Sequence, residues 1–495
     1  MFSSKFVGLA ILALVAVCSI ALLGHLPAVF PKRATGGEGK PTEESPAYRV
    51  STQPASHRAI ASRGPFIAYV APSHQNREIW LVRPDGSDAQ KLWWAPANTA
   101  AHDGVGSLAW RPDGRAVTFD SGHAWAQSLG VRDLYTVPLA GGAVLRPTEM
   151  PDPSTFSSFP QGSVKVSIGG GTPTGRELMV YVQGAASPVG ITAAPGQNYD
   201  VTIPNVADFG LNVRQYAHIY DKTGNGDACW DDVSWFVYVH PRTTVVAGTP
   251  LGSWKAGSCT SVYGPSWSAD QRSISYLVRE AAQSMLLQPV SLWKIQGEPA
   301  FGDNGERLLA AETGRSELFY LVSMNPVRSR ADQFLLAQTA GVQNPSLFLS
   351  SEQDPGNLER IDLGRCPHLF CNIMGIVWFP SGDGFFFSRL ETGGENFGSN
   401  QPAGPNGSYV YAFDLSTHAL TEILRVPQDV IGRISASPDG STLVFERAPQ
   451  FDNSTAGFVA GPRPLCPCSI WVVNRDGSGL RRIVDDGRAP AWSPL

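Results

Sequence analysis

The chain has 495 residues, of which 42% are hydrophobic and 16% charged, and its formal net charge at pH 7 is −5. This charge, with no cluster of basic residues, argues against a nucleic-acid partner. The 51 glycines and 39 prolines, set among few charged residues, argue against a helical protein and predict an all-β protein with many turns.

The start of the chain predicts export followed by a tether. Lys5 precedes an apolar run over residues 6–23 that continues, with two interruptions, to Phe30. A basic start before an apolar core is typical of a signal peptide, and the run is also long enough, at roughly 20 residues or more, to remain as a membrane anchor. We therefore expect residues 1–33 to be a signal peptide or an N-terminal membrane anchor. Residues 34–63 are rich in Gly, Pro, Ser, Thr and Glu and are expected to form a disordered linker.

A hairpin motif recurs from residue 64 onward. Its clearest form is an apolar strand ending in Trp, then Pro-Asp-Gly, then a second apolar strand. Asp and Gly favour a tight turn in which Gly takes positive φ, so the two strands pair as a hairpin. Copies lie at 108–119, 265–276, 376–387 and 434–445, with a truncated copy at Trp492 and a second kind of hairpin at 78–92 and 469–483. Two hairpins in tandem make one four-stranded β-propeller blade, and the recurring Trp is expected to pack between blades.

The spacing of the turns gives the number of blades. Pro380 and Pro438 are 58 residues apart, and Pro438 and Pro494 are 56 apart, so one blade takes about 55 residues. Ala269 and Pro380 are 111 apart, which predicts a degenerate copy between them, and Pro326 stands at the expected place. Five internal copies and the truncated copy therefore predict six blades.

The truncated copy predicts how the ring closes. After Trp492 the motif lacks its second strand, whereas the apolar strand at 64–70 has no first strand before it. If the two pair, the sixth blade is built from both ends of the chain and no sheet edge is left open. The sequence thus predicts an all-β six-bladed β-propeller formed by residues 64–152 and 258–495 and closed by both termini.

Residues 153–257 form a segment of about 100 residues beyond those that one blade requires. Short segments that alternate apolar and polar residues follow one another here, separated by Gly, Pro and Asn; they lie at 162–168, 177–183, 197–204, 214–221 and 233–240. This pattern predicts an inserted immunoglobulin-like β-sandwich. Long hairpins that extend one blade are the alternative.

Within the insert, residues 221–232 have the ligand spacing of a twelve-residue calcium loop. Thr stands at the third position, Asp instead of Glu closes the loop, and the flanks are predicted strands, so a polar hairpin turn is the alternative. The candidate calcium ligands are Asp221, Thr223, Asn225, Asp227 and Asp232.

The repeats resemble those of the TolB-type six-bladed propellers, which are related to the WD-repeat propellers. The segments that carry the resemblance are WRPDGRAVTF at 110–119, SPDGSTLVF at 437–445 and IWVVNRDGSGLRRI at 470–483. The resemblance implies the fold and two kinds of role, as envelope adaptor proteins or as non-catalytic gating domains of prolyl-oligopeptidase-type peptidases. The chain departs from both, because a linker stands where TolB has an N-terminal domain and no Gly-x-Ser-x-Gly motif or hydrolase domain is recognised.

Six cysteines follow the apolar segment, and an even number in an exported chain favours disulfides. One bridge is expected to join the end of the insert to the blade that follows it, and one to close a short loop before the strand that ends at Trp378. The last two cysteines are only two positions apart, so a bond between them is expected to be strained, and each could bond elsewhere. In chain order the pairs are Cys229 with Cys259, Cys366 with Cys371, and the neighbours Cys466 and Cys468. His74, His102 and His123 are expected to be solvated loop residues and not metal ligands.

Two classes of function fit this sequence. The first is an exported or membrane-anchored bacterial envelope protein, periplasmic or secreted, that acts as a non-catalytic binding or scaffold propeller for a protein or glycan partner. The alternative is a propeller enzyme, a lyase or hydrolase, with a site at the channel mouth. The sequence contains no recognised catalytic motif, which favours the first. No cofactor is expected apart from calcium.

Overall fold

The structure of the protein is a computed structural model. By internal contacts the chain divides into Met1–Pro46 and Ala47–Leu495, and only parts of the second unit are described here. No helix in these parts is long and apolar enough to span a bilayer, and the predicted export segment at 1–33 lies outside them. The described residues are 56–60, 64–97, 99, 104–123, 132–142, 144–145, 147, 157–158, 160–168, 176–182, 185, 189–193, 199–208, 215–221, 234–239, 246–249, 261–279, 290–297, 306–309, 319–338, 346–364, 370–392, 407–451 and 464–494.

Almost all of these residues lie in strands or in the turns between them. The first strands are β1 (Ser56–His57), β2 (Ile67–Ala71), β3 (Glu78–Val82) and β4 (Gln90–Trp94), followed by β5 (Val105–Trp110), β6 (Ala116–Ser121) and β7 (Asp133–Pro138). The insert contains β8 (Gln161–Ile168), β9 (Arg176–Val182), β10 (Val189–Ala193), β11 (Tyr199–Ala207), β12 (Gln215–Asp221), β13 (Ser234–Val239) and β14 (Val246–Thr249).

The remaining strands complete the propeller. They are β15 (Ser261–Trp267), β16 (Ser273–Arg279), β17 (Val290–Gln296), β18 (Glu306–Leu309), β19 (Phe319–Met324), β20 (Gln333–Gln338), β21 (Ser346–Ser351), β22 (Asp354–Ile361), β23 (Phe370–Trp378), β24 (Gly384–Thr392), β25 (Gly407–Asp414) and β26 (Leu420–Val426). Last come β27 (Val430–Ala436), β28 (Thr442–Ala448), β29 (Gln450–Phe451), β30 (Pro464–Leu465), β31 (Ser469–Asn474), β32 (Arg481–Val484) and β33 (Arg488–Trp492). A short 3-10 helix, Arg328–Arg330, connects β19 to β20.

Six antiparallel sheets form the predicted six-bladed propeller. From the innermost strand outward, blade 1 is β5-β6-β7, blade 2 is β15-β16-β17-β18, blade 3 is β19-β20-β21-β22, blade 4 is β23-β24-β25-β26 and blade 5 is β27-β28-β31-β32. Blade 6 is β33-β2-β3-β4, with β1 paired outside β4. The all-β propeller predicted from the sequence is therefore confirmed.

The ring closes as the split motif predicts. In blade 6, Ile67 pairs with Trp492 and Ala68 with Ala491. Just beyond this pairing, the Phe66 N–H donates to Ser493 Oγ at 3.0 Å, and the Ser493 N–H donates to the Phe66 carbonyl at 2.8 Å. The innermost strand of blade 6 thus comes from the C-terminal part of the chain and its other strands from the N-terminal part.

The Pro-Asp-Gly turns have the predicted geometry. Asp439 Oδ1 accepts the N–H of Ser441 at 3.0 Å, and Gly440 has a φ of 69°. Blade 2 has Gln271 in place of Gly, and this residue takes the left-handed conformation with a φ of 67°. The Asp side chain therefore organises the turn, and Gly makes the positive φ easier to adopt.

The hydrophobic core lies in six layers, one between each pair of neighbouring blades. Because successive strand residues point to opposite faces, Phe385 and Phe387 pack toward blade 3 whereas Phe386 packs toward blade 5. The motif tryptophans are buried at these layers as expected, and their indole N–H groups donate to the preceding blade. The acceptors are the Ala491 carbonyl for Trp110, Thr118 Oγ1 for Trp267 and the Ser323 carbonyl for Trp378, each at 2.9 Å.

The insert forms two sheets, β10-β9-β12-β13 and β11-β8-β14. All five predicted strand segments are strands, and β10 and β14 are additional. Val164 on β8, Ile203 on β11 and Val182 on β9 are buried, so each sheet has a covered side. The immunoglobulin-like identity of the insert is not confirmed and stays a prediction, as do the domain boundaries at 153 and 257.

His123 differs from the expectation of a solvated loop histidine. Only 9% of the residue is exposed, its ring lies 4.5 Å from that of Tyr135 and 4.8 Å from that of Trp93, and its Nδ1 is 2.9 Å from Ser121 Oγ. The expectation was wrong because β7 and β4 place Tyr135 and Trp93 around this loop. His102 lies outside the described residues, and His74 is exposed.

We expect the turn aspartates to make the fold acid-sensitive. Hydrogen bonds from Ser437 and Ser441 lower the pKa of Asp439 from 3.8 to about 2, and those from Ser416 and Thr417 lower the pKa of Asp414 equally. A lowered pKa in the folded state means that the ionised turns stabilise the fold above pH 4, and that this stabilisation is lost as the pH falls from about 4 to about 2. Urea unfolding at pH values between 5 and 2.5 measures this loss of stability.

The matched variants are Asp439→Asn and Glu359→Gln, the second of which neutralises an exposed carboxyl on β22 outside these turns. Asp439→Asn should flatten the dependence of unfolding free energy on pH below pH 4. An equal slope in both variants and the native protein contradicts the prediction.

Candidate functional site: the axial cavity and its groove

A cavity of about 540 Å³ lies on the propeller axis. The innermost strands of all six blades contribute their last residues to its wall. The cavity opens on the face that carries the turns between the first and second strands of the blades, which we call the turn face. The rim residues of the turn face are Pro112, Ala269, Pro326, Pro380, Pro438 and Pro494.

The wall of this axial cavity combines apolar and polar side chains. Ala109, Ile376, Ile434 and Ala491 are apolar, and the motif tryptophans add aromatic edges. The hydroxyl groups come from Ser266, Ser323, Ser435, Ser437 and Ser493. The size of the cavity is within the roughly 300–1,000 Å³ of ordinary ligand-binding clefts. The arrangement suits a ligand or segment that has both apolar and hydrogen-bonding groups and enters from the turn face.

Among the described residues that line the axial cavity, charge is present only on two arginines. Arg433 lies on β27 and is half-buried, whereas Arg328 lies in the 3-10 helix and is exposed at the rim. The same lining contains no aspartate or glutamate.

A second cavity of about 790 Å³, here called the polar groove, lies between blades 2 and 3 on the same face. Gln271 and Arg328 line both cavities, so the polar groove opens into the axial cavity. Apart from Ala331, every side chain that lines it is polar or charged. Its lining is polar or charged almost throughout, whereas the axial cavity combines polar and apolar side chains.

An ion pair crosses the polar groove. Lys294 Nζ on β17 lies 2.6 Å from Glu352 Oε2 in the turn between β21 and β22, so the pair joins blades 2 and 3. Burial raises the pKa of Glu352, and the ammonium of Lys294 only partly opposes this. Glu352 Oε1 is buried and accepts no hydrogen bond within the described part of the chain.

The predicted calcium site is not tested by the structure. Thr223, Asn225, Asp227 and Asp232 lie outside the described residues, and Asp221 is described only as the last backbone position of β12. In the described segments no three His, Cys, Asp or Glu side chains are grouped so that they could hold a metal ion. The calcium loop stays a prediction.

Part of the predicted disulfide pattern lies within the structure. Cys371 is buried and disulfide-bonded, but its expected partner Cys366 lies outside the described residues. Cys229 and Cys259, the expected bridge between the insert and the following blade, also lie outside them. Cys466 and Cys468 are bonded to each other, with their Cα atoms 4.4 Å apart. Of the alternatives for this pair, the structure has the direct bond.

Sequence reasoning missed Arg433, although the sequence contains a signal for it. Arg433 stands three residues before the position that Trp occupies in the motif, and the other copies there have Ser, Gly, Leu, Gly and Ala. A long charged side chain at a small or apolar position of an innermost strand is the signal. Glu352 carries no such signal, because its groove exists only when two blades lie side by side.

No protein-family profile matches the chain. The Tol-Pal system protein TolB of Nitratidesulfovibrio vulgaris is 31% identical over 115 residues, which is 21% of this chain and 25% of that protein. The chain therefore spans about a quarter of the length of the curated relative it matches. The resemblance of the repeats to TolB is confirmed at this level.

Solved structures to which the chain is similar show much lower identity. A structure described as TolB from Agrobacterium tumefaciens is 15% identical with a TM-score of 0.27, covering 45% of this chain and 62% of that one. An oligogalacturonate lyase in complex with manganese is 11% identical with a TM-score of 0.33, covering 77% and 76%. A puromycin hydrolase is 13% identical with a TM-score of 0.37, covering 86% and 54%. These values carry no conclusion about function.

Proposed function

We propose that this TolB-like six-bladed propeller is a non-catalytic binding protein that takes up a segment of a protein partner in its axial cavity. The observation that carries the proposal is the cavity itself, which is open on the turn face and walled by apolar and polar residues from all six blades. Its lining combines apolar side chains with serine hydroxyls, and a protein segment, which brings both apolar side chains and hydrogen-bonding backbone groups, matches this combination.

The frame around the cavity supports a binding role. Hydrogen bonds from the motif tryptophans join blades 1, 2 and 4 to their neighbours, so the cavity wall is preorganised. A preformed site loses little conformational entropy when a ligand binds. The polar groove next to it provides the hydrogen-bonding rim that protein interfaces place around an apolar centre.

We place this function outside the cytoplasm. The apolar start of the chain predicts export, and the disulfide between Cys466 and Cys468 fits an oxidising compartment. A protein anchored by residues 1–33 at the bacterial cell membrane, and one secreted into the periplasm after their removal, both fit the proposal.

The proposal is tested by photo-crosslinking in the native host. A photoreactive side chain at Ala436, in the wall of the axial cavity, is expected to crosslink to a specific protein. The matched control carries the same group at Leu420, which is exposed on the outermost strand of blade 4. With the purified crosslinked protein, Ala436→Trp should weaken binding at least about tenfold by filling the cavity, and Leu420→Trp should leave it unchanged.

Equal crosslinking from both positions, or equal binding by both Trp variants, contradicts the proposal. A catalysed reaction that Glu352→Gln abolishes would instead support the second candidate, an enzyme at the channel mouth. The raised pKa of Glu352 beside Lys294 is the observation that favours this candidate, because acid–base enzymes use carboxyl groups of this kind.

A further inference from the structure

We infer that the axial cavity recognises a carboxylate carried by an apolar segment of the partner, and that Arg433 and Arg328 bind it. This inference rests on the proposed function and adds the chemistry of the ligand. It starts from the charges of the cavity, whose lining contains two arginines and no acidic residue.

Arg433 has a fixed backbone and a free side chain. Its N–H donates to Glu446 Oε1 at 3.0 Å, which holds β27 in place at this position. The other oxygen of Glu446 accepts the N–H of Ala489 at 2.7 Å, so this neighbouring carboxylate is already occupied by backbone groups. Within the described part of the chain the guanidinium of Arg433 has no hydrogen bond or ion pair.

A guanidinium that is half removed from water and has no partner is unfavourable, because it loses hydration and gains nothing in return. A carboxylate placed against it restores this loss and can accept two parallel N–H bonds from the planar fork. Arginine is always charged at physiological pH, so the preference for an anion does not depend on titration of the protein. A cavity with low-dielectric walls and charge of one sign also concentrates its field on the ligand.

Arg328 gives the rim of the axial cavity the same preference for an anion. It is exposed and lines both the axial cavity and the polar groove, so an anion that approaches the turn face meets Arg328 before Arg433. Trp267 and Trp378 lie in the same wall and can contact the apolar residue beside the carboxylate. The ligand that fits is therefore an Asp or Glu side chain next to an aromatic or aliphatic one.

The test uses capped dipeptides as probes. One has Phe followed by Glu, its twin has Gln in place of Glu, and glucuronate serves as a carboxylate from a sugar. Binding is measured by calorimetry and by the side-chain NMR signals of protein labelled at arginine. In the native protein the Glu dipeptide should bind at least about tenfold more tightly than the Gln twin and should shift the Arg433 signal.

Variants at Arg433 test the binding role of the guanidinium separately from the stability of the fold. Arg433→Gln should abolish the preference for Glu over Gln without lowering the melting temperature, because the backbone bond to Glu446 remains. Arg433→Lys should keep part of the preference for the Glu dipeptide, since the charge remains but the planar fork of the guanidinium is lost. The matched control is Arg360→Gln, which removes an exposed arginine on β22 and should bind like the native protein.

Several outcomes overturn the inference. They are equal binding of the Glu and Gln dipeptides, no binding of the Glu dipeptide, and native preference in Arg433→Gln. Tighter binding of glucuronate than of the Glu dipeptide assigns the site to a sugar and overturns the protein ligand. If Ala436→Trp weakens binding of the crosslinked partner but Arg433→Gln does not, only this inference fails. If neither variant weakens binding of this partner, the proposed function fails as well.

Discussion

Deletion of residues 488–495 is expected to abolish cooperative folding of the propeller. The deletion removes β33, the innermost strand of blade 6, and leaves the edge of β2 unpaired. Ile67, Ala68 and Val70 on β2 are completely buried in the native structure. Burial of one such aliphatic side chain contributes about 1.5–3 kcal/mol, so loss of several approaches the about 5–15 kcal/mol that stabilises a whole domain.

The loss extends beyond blade 6. Trp110 in blade 1 loses the acceptor of its indole N–H, and Glu446 in blade 5 loses the N–H of Ala489. Circular dichroism and calorimetry should show no cooperative transition, and size-exclusion chromatography should show an expanded or aggregated protein. Leu480→Ala, at an exposed residue just before β32, is the control and should melt like the native protein. A truncated protein that melts at the native temperature contradicts the predicted closure.

Glu446→Ala is expected to be the most damaging single substitution of a charged residue. Glu446 on β28 is 1% exposed, and its two oxygens accept the N–H groups of Arg433 in its own blade and of Ala489 in blade 6. Truncation to Ala leaves both N–H groups buried without acceptors. At about 1–3 kcal/mol each, the expected loss of unfolding free energy is about 2–6 kcal/mol.

Urea denaturation measures this loss. Glu446→Gln keeps one acceptor oxygen and should lie between Glu446→Ala and the native protein. Glu359→Ala removes an exposed glutamate on β22 and should change the unfolding free energy by less than about 0.5 kcal/mol. A loss below about 1 kcal/mol for Glu446→Ala would show that other groups take over both N–H bonds.

The fold was predictable because its repeats are local patterns. The Pro-Asp-Gly turns set the hairpins, their spacing counted six blades, and the unmatched half-motif at Trp492 predicted the closure with β2. Each of these signals comes from a few neighbouring residues, whose turn geometry is set by their own side chains. The degenerate copy at Pro326 was found only because the spacing required it.

The candidate site was not predictable in the same way. The axial cavity exists because six strands distant in sequence converge, and the pair of Lys294 and Glu352 forms only across two blades. Glu446 looks like an ordinary polar residue of an alternating strand, yet it accepts one N–H from β27, where the register against β28 shifts, and one from β33 of the next blade. The surroundings of His123 were likewise set by residues of another blade.

The pairing of β2 with β33 also has a consequence for the order of events in the cell. About 420 residues separate the two strands, so this contact has a very high sequence separation and forms late. At a synthesis rate of roughly 5–20 residues per second, β33 is made roughly 20–80 s after β2. During that time β2 cannot complete its sheet, and the nascent chain stays short of its final closed form. The export that the apolar start of the chain predicts would benefit from this delay, because the propeller ring closes only after β33 has been produced.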